Sequence, residues 1–252
     1  MDRLDNLRRL QGAFEDAAER HSLKGTLGVA DFRSVFQALM PVQREKLRDF
    51  CGDELRRLLE DGSVVSIAYA YPEHAIEAIA LKRGEGYDRE SWNIYAEAYH
   101  RLNVALDDTV DGLAEAAGGM AIPATTEGTS VVGHVEEYYG MAVSHRVAAE
   151  QSGIGWRGRN ELIVHPTYSC AIRLASVVTE LPLERTPPSE GGCGDCRACL
   201  DACPFLRFKD RLDDYREQCR RYIVHLGLDE EVCGKCVKAC YRDSIYRDRF
   251  KL

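Results

Sequence analysis

Cys193-Gly-Asp-Cys196-Arg-Ala-Cys199-Leu-Asp-Ala-Cys203-Pro204 lies in the C-terminal quarter of this 252-residue chain. The spacing C-x2-C-x2-C-x3-C-P is the run with which bacterial two-cluster ferredoxins hold [4Fe–4S] cubanes. Cys219 follows, then Cys233-x2-Cys236-x3-Cys240, so eight of the ten cysteines fall in the last sixty residues. Eight thiolates are four per cubane. In the bacterial run the fourth cysteine ligates the other cluster. That rule groups Cys193, Cys196 and Cys199 with Cys240, and Cys203 with Cys219, Cys233 and Cys236. Turns with two intervening residues let neighbouring thiolates converge while backbone N–H groups point at the sulfurs. Gly194 and Gly234 each follow the first cysteine of such a turn, where a side chain would crowd that approach. Zinc ribbons also pair C-x2-C motifs, but rarely as x2, x2, x3 and then Pro. A disulfide framework suits a short secreted chain. The reading adopted is two [4Fe–4S] clusters, and with them single-electron transfer.

Outside this tail roughly 185 residues remain, enough for a domain with a sizeable core. Apolar residues make up 45% and charged residues 29% of the chain, the balance of a soluble globular protein. No apolar run approaches a membrane span, so no membrane partner is expected. Arg8-Arg9 near the N-terminus is not followed by an apolar stretch or a small-residue cleavage site. Neither a Sec nor a twin-arginine signal is read, and oxygen-sensitive clusters point to the cytoplasm. Net charge is −8, and two cubanes at about −2 each would take it to about −12. Such a surface repels phosphate backbones unless a basic patch intervenes, which makes nucleic acid an unlikely partner.

Leu4, Leu7, Leu10, Phe14 and Ala18 recur at helical steps over residues 3–21, and a second helical stretch spans about 41–60. Ser63–Tyr71 reads as a strand that ends at Pro72. Residues 89–117 carry the longest helical pattern, from Trp92 to Leu113, with Gly118-Gly119 as the stop. A short strand at 120–124, a helix over 143–152 and strands at 161–165 and 171–179 follow. Arg185-Thr-Pro-Pro-Ser-Glu-Gly-Gly192 reads as a linker. The expectation is an α+β domain over 1–185 and a ferredoxin-like two-cluster domain over 186–252.

Gly153-Ile-Gly155-Trp156-Arg-Gly158 matches G-x-G-x-x-G, but a helical stretch precedes it and a strand follows. A dinucleotide site needs the reverse order. The same stretch, extended through Arg159 and Asn160, fits another pattern together with Ser144-His145, Pro166-Thr-Tyr168, Thr179-Glu-Leu-Pro-Leu183 and the cysteine run. From about Ser63 to Tyr241 the chain resembles the epoxyqueuosine reductase family, in the short form without a C-terminal helical-repeat domain. That family is related to cobalamin-dependent reductive dehalogenases.

The resemblance implies a nitroreductase-like corrinoid-binding domain in which two clusters pass electrons to a bound cobalamin. It nominates His145, Gly153, Gly155, Trp156, Gly158, Arg159, Asn160, Tyr168, Ser169 and Cys170 as cofactor-binding. A glycine-rich segment suits a flat macrocycle, to which backbone must come close. The alternative is that these glycines only form a tight helix-to-strand turn, with Trp156 as a core plug. The catalytic candidates are Tyr99, His100 and Glu97. Each histidine is read either as a proton carrier near the corrinoid or as a packed helix residue.

One departure shapes the functional expectation. The family reads Asp-Tyr-His on the long helix, and that acid is regarded as its proton donor; this chain reads Ala98-Tyr99-His100. Glu97 lies about 100° around the helix and does not simply replace it. The missing acid, the end of the chain soon after Cys240 and the acidic surface together point away from tRNA. The expected function is therefore reduction of a small substrate through cobalamin, with a ferredoxin or flavodoxin as electron donor. A ferredoxin-like electron-transfer or reactivation protein serving a partner corrinoid enzyme is the alternative. Epoxyqueuosine reduction itself is the second alternative.

Overall fold

Ser63–Ala70 is buried at all eight positions, as a run of apolar, β-branched and aromatic residues between two other strands should be. A computed structural model describes residues 2–80, 88–122 and 124–252. In chain order it contains α1 (Arg3–Arg20), β1 (Gly25–Asp31), α2 (Phe32–Ala38), α3 (Pro41–Cys51), α4 (Leu55–Asp61) and β2 (Ser63–Ala70). Then come α5 (Glu73–Ala78), α6 (Arg89–Ala117), β3 (Met120–Ile122), α7 (Val135–Tyr139) and α8 (His145–Gln151). The short pair β4 (Trp156–Arg157) and β5 (Ile163–Val164) leads to β6 (Ile172–Thr179). The cysteine-rich segment adds α9 (Ala198–Ala202), α10 (Pro204–Arg207), α11 (Tyr215–Leu226) and α12 (Lys235–Asp243). The fold is α+β.

The main sheet has the order β1-β2-β6-β3, with every pair antiparallel. Alternation along β2 feeds two cores. Val65, Ile67 and Tyr69 meet α1 and α6, whereas Val64 meets α2, α3 and α8. Helix α6 is long because its ends are chemically marked. The Asp88 carboxylate accepts from Glu90 N–H at one end, and Gly118 stops the other in the left-handed conformation. The helix read over 41–60 is broken at Gly52 into α3, a 3₁₀ turn and α4.

The main core crosses residue 186. Leu226, Leu228, Val232, Val237 and Phe250 share one apolar cluster with Leu10, Ile67, Trp92 and Leu106. The linker is pinned along β1: Thr186 N–H donates to the Val29 carbonyl (2.9 Å), and Val29 N–H donates to Thr186 Oγ1 (2.7 Å). No helix among the described residues is long and apolar enough to cross a membrane.

Candidate functional site

The eight tail cysteines are free thiols, and their electrostatic neighbours divide them into two sets. Cys199 is pushed up to about 12 by burial and then by Cys240, Cys193 and Cys196. Cys219 is pushed up to about 12 by burial and then by Cys233 and Cys203. Cys236 is raised well above the usual thiol range by burial, followed by Cys233, Cys219, Cys203 and, from the other set, Cys199. Cys203 is thus among the neighbours of Cys219, and Cys240 among those of Cys199, and α9 packs on α12. Raised thiol values are what iron relieves, because a coordinating thiol is deprotonated outright. Among the described residues no three His, Cys, Asp or Glu side chains close tightly enough for a single metal ion. A cubane asks for a wider cage, in which each thiolate meets its own iron.

Gly234 takes φ +73, and a Cβ there would lie 2.5 Å from Ile79 Cδ1 and 2.7 Å from a Tyr95 ring carbon. Its glycine is required by that core contact and by the left-handed backbone, rather than by crowding at the sulfurs.

A cavity of about 540 Å³ opens against the second set and is lined by Cys203, Cys219, Cys233 and Cys236. The first set lies outside its wall. Part of this space is where an inner cluster would sit. The lining also carries Tyr71, Tyr95, Tyr99 and Tyr138 around Arg173. Arg173 lies 4.2 Å from the Tyr99 ring centroid. It donates to Asn103 Oδ1 (2.9 Å) and the Thr125 carbonyl (3.0 Å). Five cations line the cavity, Arg146, Arg173, Arg216, Arg220 and Lys235, against the carboxylates Glu161 and Glu231. Arg220 is matched by buried Glu217 at 2.7 Å, and its guanidinium first of all holds that carboxyl far below the usual range. Glu231 is occupied by Ser130 N–H (2.7 Å) and Thr129 Oγ1 (3.1 Å).

Does this chamber fit a cluster and a corrinoid? The buried Tyr222 hydroxyl lines it without a hydrogen-bond partner among the described residues. A buried O–H left unpaired costs about 1–3 kcal/mol, so an acceptor belongs in that space. Thiolate and cluster sulfur supply one. The donor set fits iron–sulfur, and the open, partly apolar cavity would enclose part of a larger cofactor.

The nominated residues divide. Tyr99, His145, Asn160 and Cys170 line the cavity. Tyr99 Oη donates to the Thr125 carbonyl (3.0 Å), His145 Nδ1 lies 3.0 Å from Ser176 Oγ, and Asn160 Nδ2 donates to Cys170 Sγ (3.3 Å). Glu97 and His100 are exposed on α6, where His100 pairs with Glu230 at 3.1 Å. They face away from the chamber because the turn of the helix that buries Tyr95 and Ala98 puts them outside.

Gly153, Gly155, Trp156, Gly158 and Arg159 are also outside the lining, which corrects the reading of this segment as a macrocycle floor. A Cβ at Gly153 would lie 2.1 Å from the Pro187 carbonyl oxygen, and one at Gly155 would lie 2.3 Å from that of Val164. The close neighbour is the chain itself. Trp156 packs edge-on to Tyr246, and Arg159 donates to the Gly194 carbonyl (2.6 Å). The segment therefore props the first cysteine turn.

Tyr168 and Ser169 are likewise not in the wall. Tyr168 stacks on His165 with centroids 4.7 Å apart, while Ser169 is fully buried and accepts from Ala171 N–H. His165 Nδ1 accepts from Thr167 and Tyr168 N–H groups at 3.0 and 3.2 Å, so this turn needs the neutral ring. Burial pushes His165 down from 6.5 to about 4. The unfolded chain binds this proton first, so stability is full above pH 6.5 and is lost as pH falls toward about 4. Thermal melts from pH 7 to 5 are expected to fall more steeply for the natural chain than for His165→Asn, which keeps the acceptor without the proton.

Sequence reading missed Arg146, Arg173 and Lys235 as cavity cations. They come from α8, β6 and α12, and share no local spacing.

No family model matches the chain. It is 32% identical over 198 residues to an epoxyqueuosine reductase of Listeria monocytogenes, covering 72% of this chain and 48% of that relative. It is 34% identical over 145 residues to that of Bacillus anthracis, covering 56% and 34%. The chain thus spans about half or less of the curated relatives it matches. A solved epoxyqueuosine reductase from Streptococcus thermophilus shares the fold, with TM-score 0.52 and 19% identity over 96% of this chain and 68% of that one. A catabolic reductive dehalogenase in complex with 3-bromo-4-hydroxybenzoic acid also does, with TM-score 0.51 and 16% identity over 71% and 25%.

These names overturn two expectations. A small substrate in preference to epoxyqueuosine rested on the missing acid, the end of the chain soon after Cys240 and the acidic surface, whereas the sequence relatives are epoxyqueuosine reductases. Nucleic acid was set aside on a whole-chain charge. The sequence relatives named epoxyqueuosine reductase speak against that exclusion. The summed charge of −8 also fails to describe a chamber whose lining is locally cationic. By sequence and by fold, this chain is a relative of the epoxyqueuosine reductases.

Proposed function

We propose that this chain is an iron–sulfur reductase that acts on the epoxide of epoxyqueuosine in tRNA. The observation that carries the reading is the position of the second cysteine set. It forms one wall of a cationic, tyrosine-lined cavity, while the first set stands behind it, away from the cavity. That order makes a two-step electron path from outside to the chamber. The first set, with Cys193 and Cys196 beside exposed Asp195 and Arg197, receives electrons from a low-potential donor such as a ferredoxin or flavodoxin. In this reading residues 1–185 are the nitroreductase-like part and residues 186–252 the ferredoxin-like part, and the protein works in the cytoplasm.

Cobalamin fits as the group held in the chamber, with His145, Asn160 and Cys170 on its wall. When bound, it supplies a metal centre that gathers electrons delivered one at a time. The chain's own residues do the rest. Tyr99 takes the part of the proton donor that Ala98 leaves vacant: its hydroxyl lines the cavity, and Arg173 braces its ring. Loss of the epoxide oxygen as water takes two electrons and two protons. Both C–O bonds break, a carbon–carbon double bond forms, and Tyr99 supplies one proton to the departing oxygen and solvent water the other. Arg173 stabilises the negative charge that remains on the phenol.

Reconstituted anaerobically with iron, sulfide and cobalamin, the chain should remove epoxyqueuosine from tRNA, read by mass spectrometry of digested nucleosides. Retention of the epoxide under these conditions would sink the assignment. Tyr99→Phe is expected to lower turnover about 100-fold, in the usual range for a general acid, with tRNA affinity unchanged.

A further inference from the structure

Of the four arginines that line the cavity, Arg146 has the least to hold. It is half-buried at the start of α8, and among the described residues its guanidinium donates only to the Glu161 carbonyl (2.9 Å). Five N–H donors on a permanently charged fork are available there. The nearby groups add positive charge. Arg216 lines the same cavity and reaches Glu161 Oε2 at 3.6 Å. Lys209 reaches Glu161 Oε1 at 3.2 Å. One carboxylate thus answers three cations. Arg157, also near Arg146, is spent on Glu150 at 2.6 Å. Burial, then Arg216 and Arg157, push the Arg146 guanidinium down, as expected where a counter-ion has been left out. A buried charge without a partner is costly, so this arrangement asks for an anion.

We propose that Arg146 and Arg216 form a phosphodiester-binding subsite at the α8–α11 end of the cavity, with Lys209 neutralising Glu161 behind them. The chemistry selects the ligand class. Two guanidinium forks match the two free oxygens of a phosphodiester. The Tyr215 and Tyr139 hydroxyls, 3.0 and 3.4 Å from Arg216 nitrogens, add neutral donors beside them. The subsite rests on the function proposed above, and both ligands of that reading bring this group: the nucleotide tail of cobalamin and the backbone of tRNA.

The test compares the natural chain with Arg146→Gln, Arg216→Gln and Arg146→Lys, all cluster-loaded. Three probes are used: cobalamin, cobinamide (which lacks the phosphodiester tail) and a tRNA anticodon stem loop. Equilibrium affinity is the readout. If the tail occupies the subsite, both Gln variants bind cobalamin about 30-fold more weakly, Arg146→Lys recovers only part of the loss, and cobinamide is unaffected. If RNA occupies it, the stem loop shows the loss, and its salt dependence falls by about one phosphate. Cobalamin and the stem loop both binding the variants as they bind the natural chain would overturn the subsite alone. So would equal losses for cobalamin and cobinamide. A natural chain that binds neither cobalamin nor stem loop would overturn the proposed function along with it.

Discussion

Cys203→Ala and Cys219→Ala chains are expected to keep about four of about eight irons and to give the same EPR spectrum as each other. Cys240→Ala and Cys199→Ala should form a second matching pair with a different residual spectrum. The grounds are the neighbours of each thiol: Cys203 stands with Cys219 and Cys233, and Cys240 with Cys199, Cys193 and Cys196. Grouping by mere adjacency along the chain would instead pair Cys203 with Cys199 and Cys240 with Cys236. Loss of either set should bring turnover to background, since the path has no branch. The two losses differ in kind, however. Without the outer set no electrons enter, whereas without the inner set the cavity loses a wall. Spectra that pair Cys203→Ala with Cys199→Ala would show the crossing to be wrong.

Gly153→Val is expected to destabilise the chain by about 3–5 kcal/mol, within the range of the most damaging single substitutions. Two independent penalties add. Gly153 has φ +74, where a β-branched residue is strained, and its Cβ would lie 2.1 Å from a carbonyl oxygen of the linker. Backbone on both sides leaves little room to give. For a chain of this size the loss corresponds to roughly 10 °C or more in melting temperature. Gly153→Ala should lose less, because it adds no β-branch. In either variant, protein that remains folded at low temperature should bind cobalamin with natural affinity. A large loss of affinity without loss of stability would restore the segment to the cavity floor.

The features legible in the sequence are those whose chemistry is local. Asp88 and Gly118 mark the ends of α6 at the positions where helices need a cap and a left-handed stop. Asp2 does the same for α1 by accepting from Leu4 and Asp5 N–H groups. The cysteine spacing implied its own crossing. β1 was not legible, because Gly25 and Gly28 interrupt its apolar pattern. Both are required by close backbone: a Cβ would lie 2.3 Å from the Ala68 carbonyl oxygen and 2.2 Å from that of Ser152. Gly153–Gly158 misled for the same reason. A glycine that lets something approach has the same sequence whether the neighbour is a cofactor or the chain's own linker. Three cavity cations were hidden differently, since Arg146, Arg173 and Lys235 converge only after folding.

The placement of the two cysteine sets also decides how the molecule would fail in air. Cys193 and Cys196 stand among exposed Gly192, Gly194, Asp195 and Arg197, whereas Cys233 and Cys236 lie beside buried Val232 and Val237. Oxygen would reach the outer cluster first. Early damage would then leave the inner cluster and the chamber whole but cut off from their supply, an injury that reloading iron at a surface turn could repair without unfolding the chain.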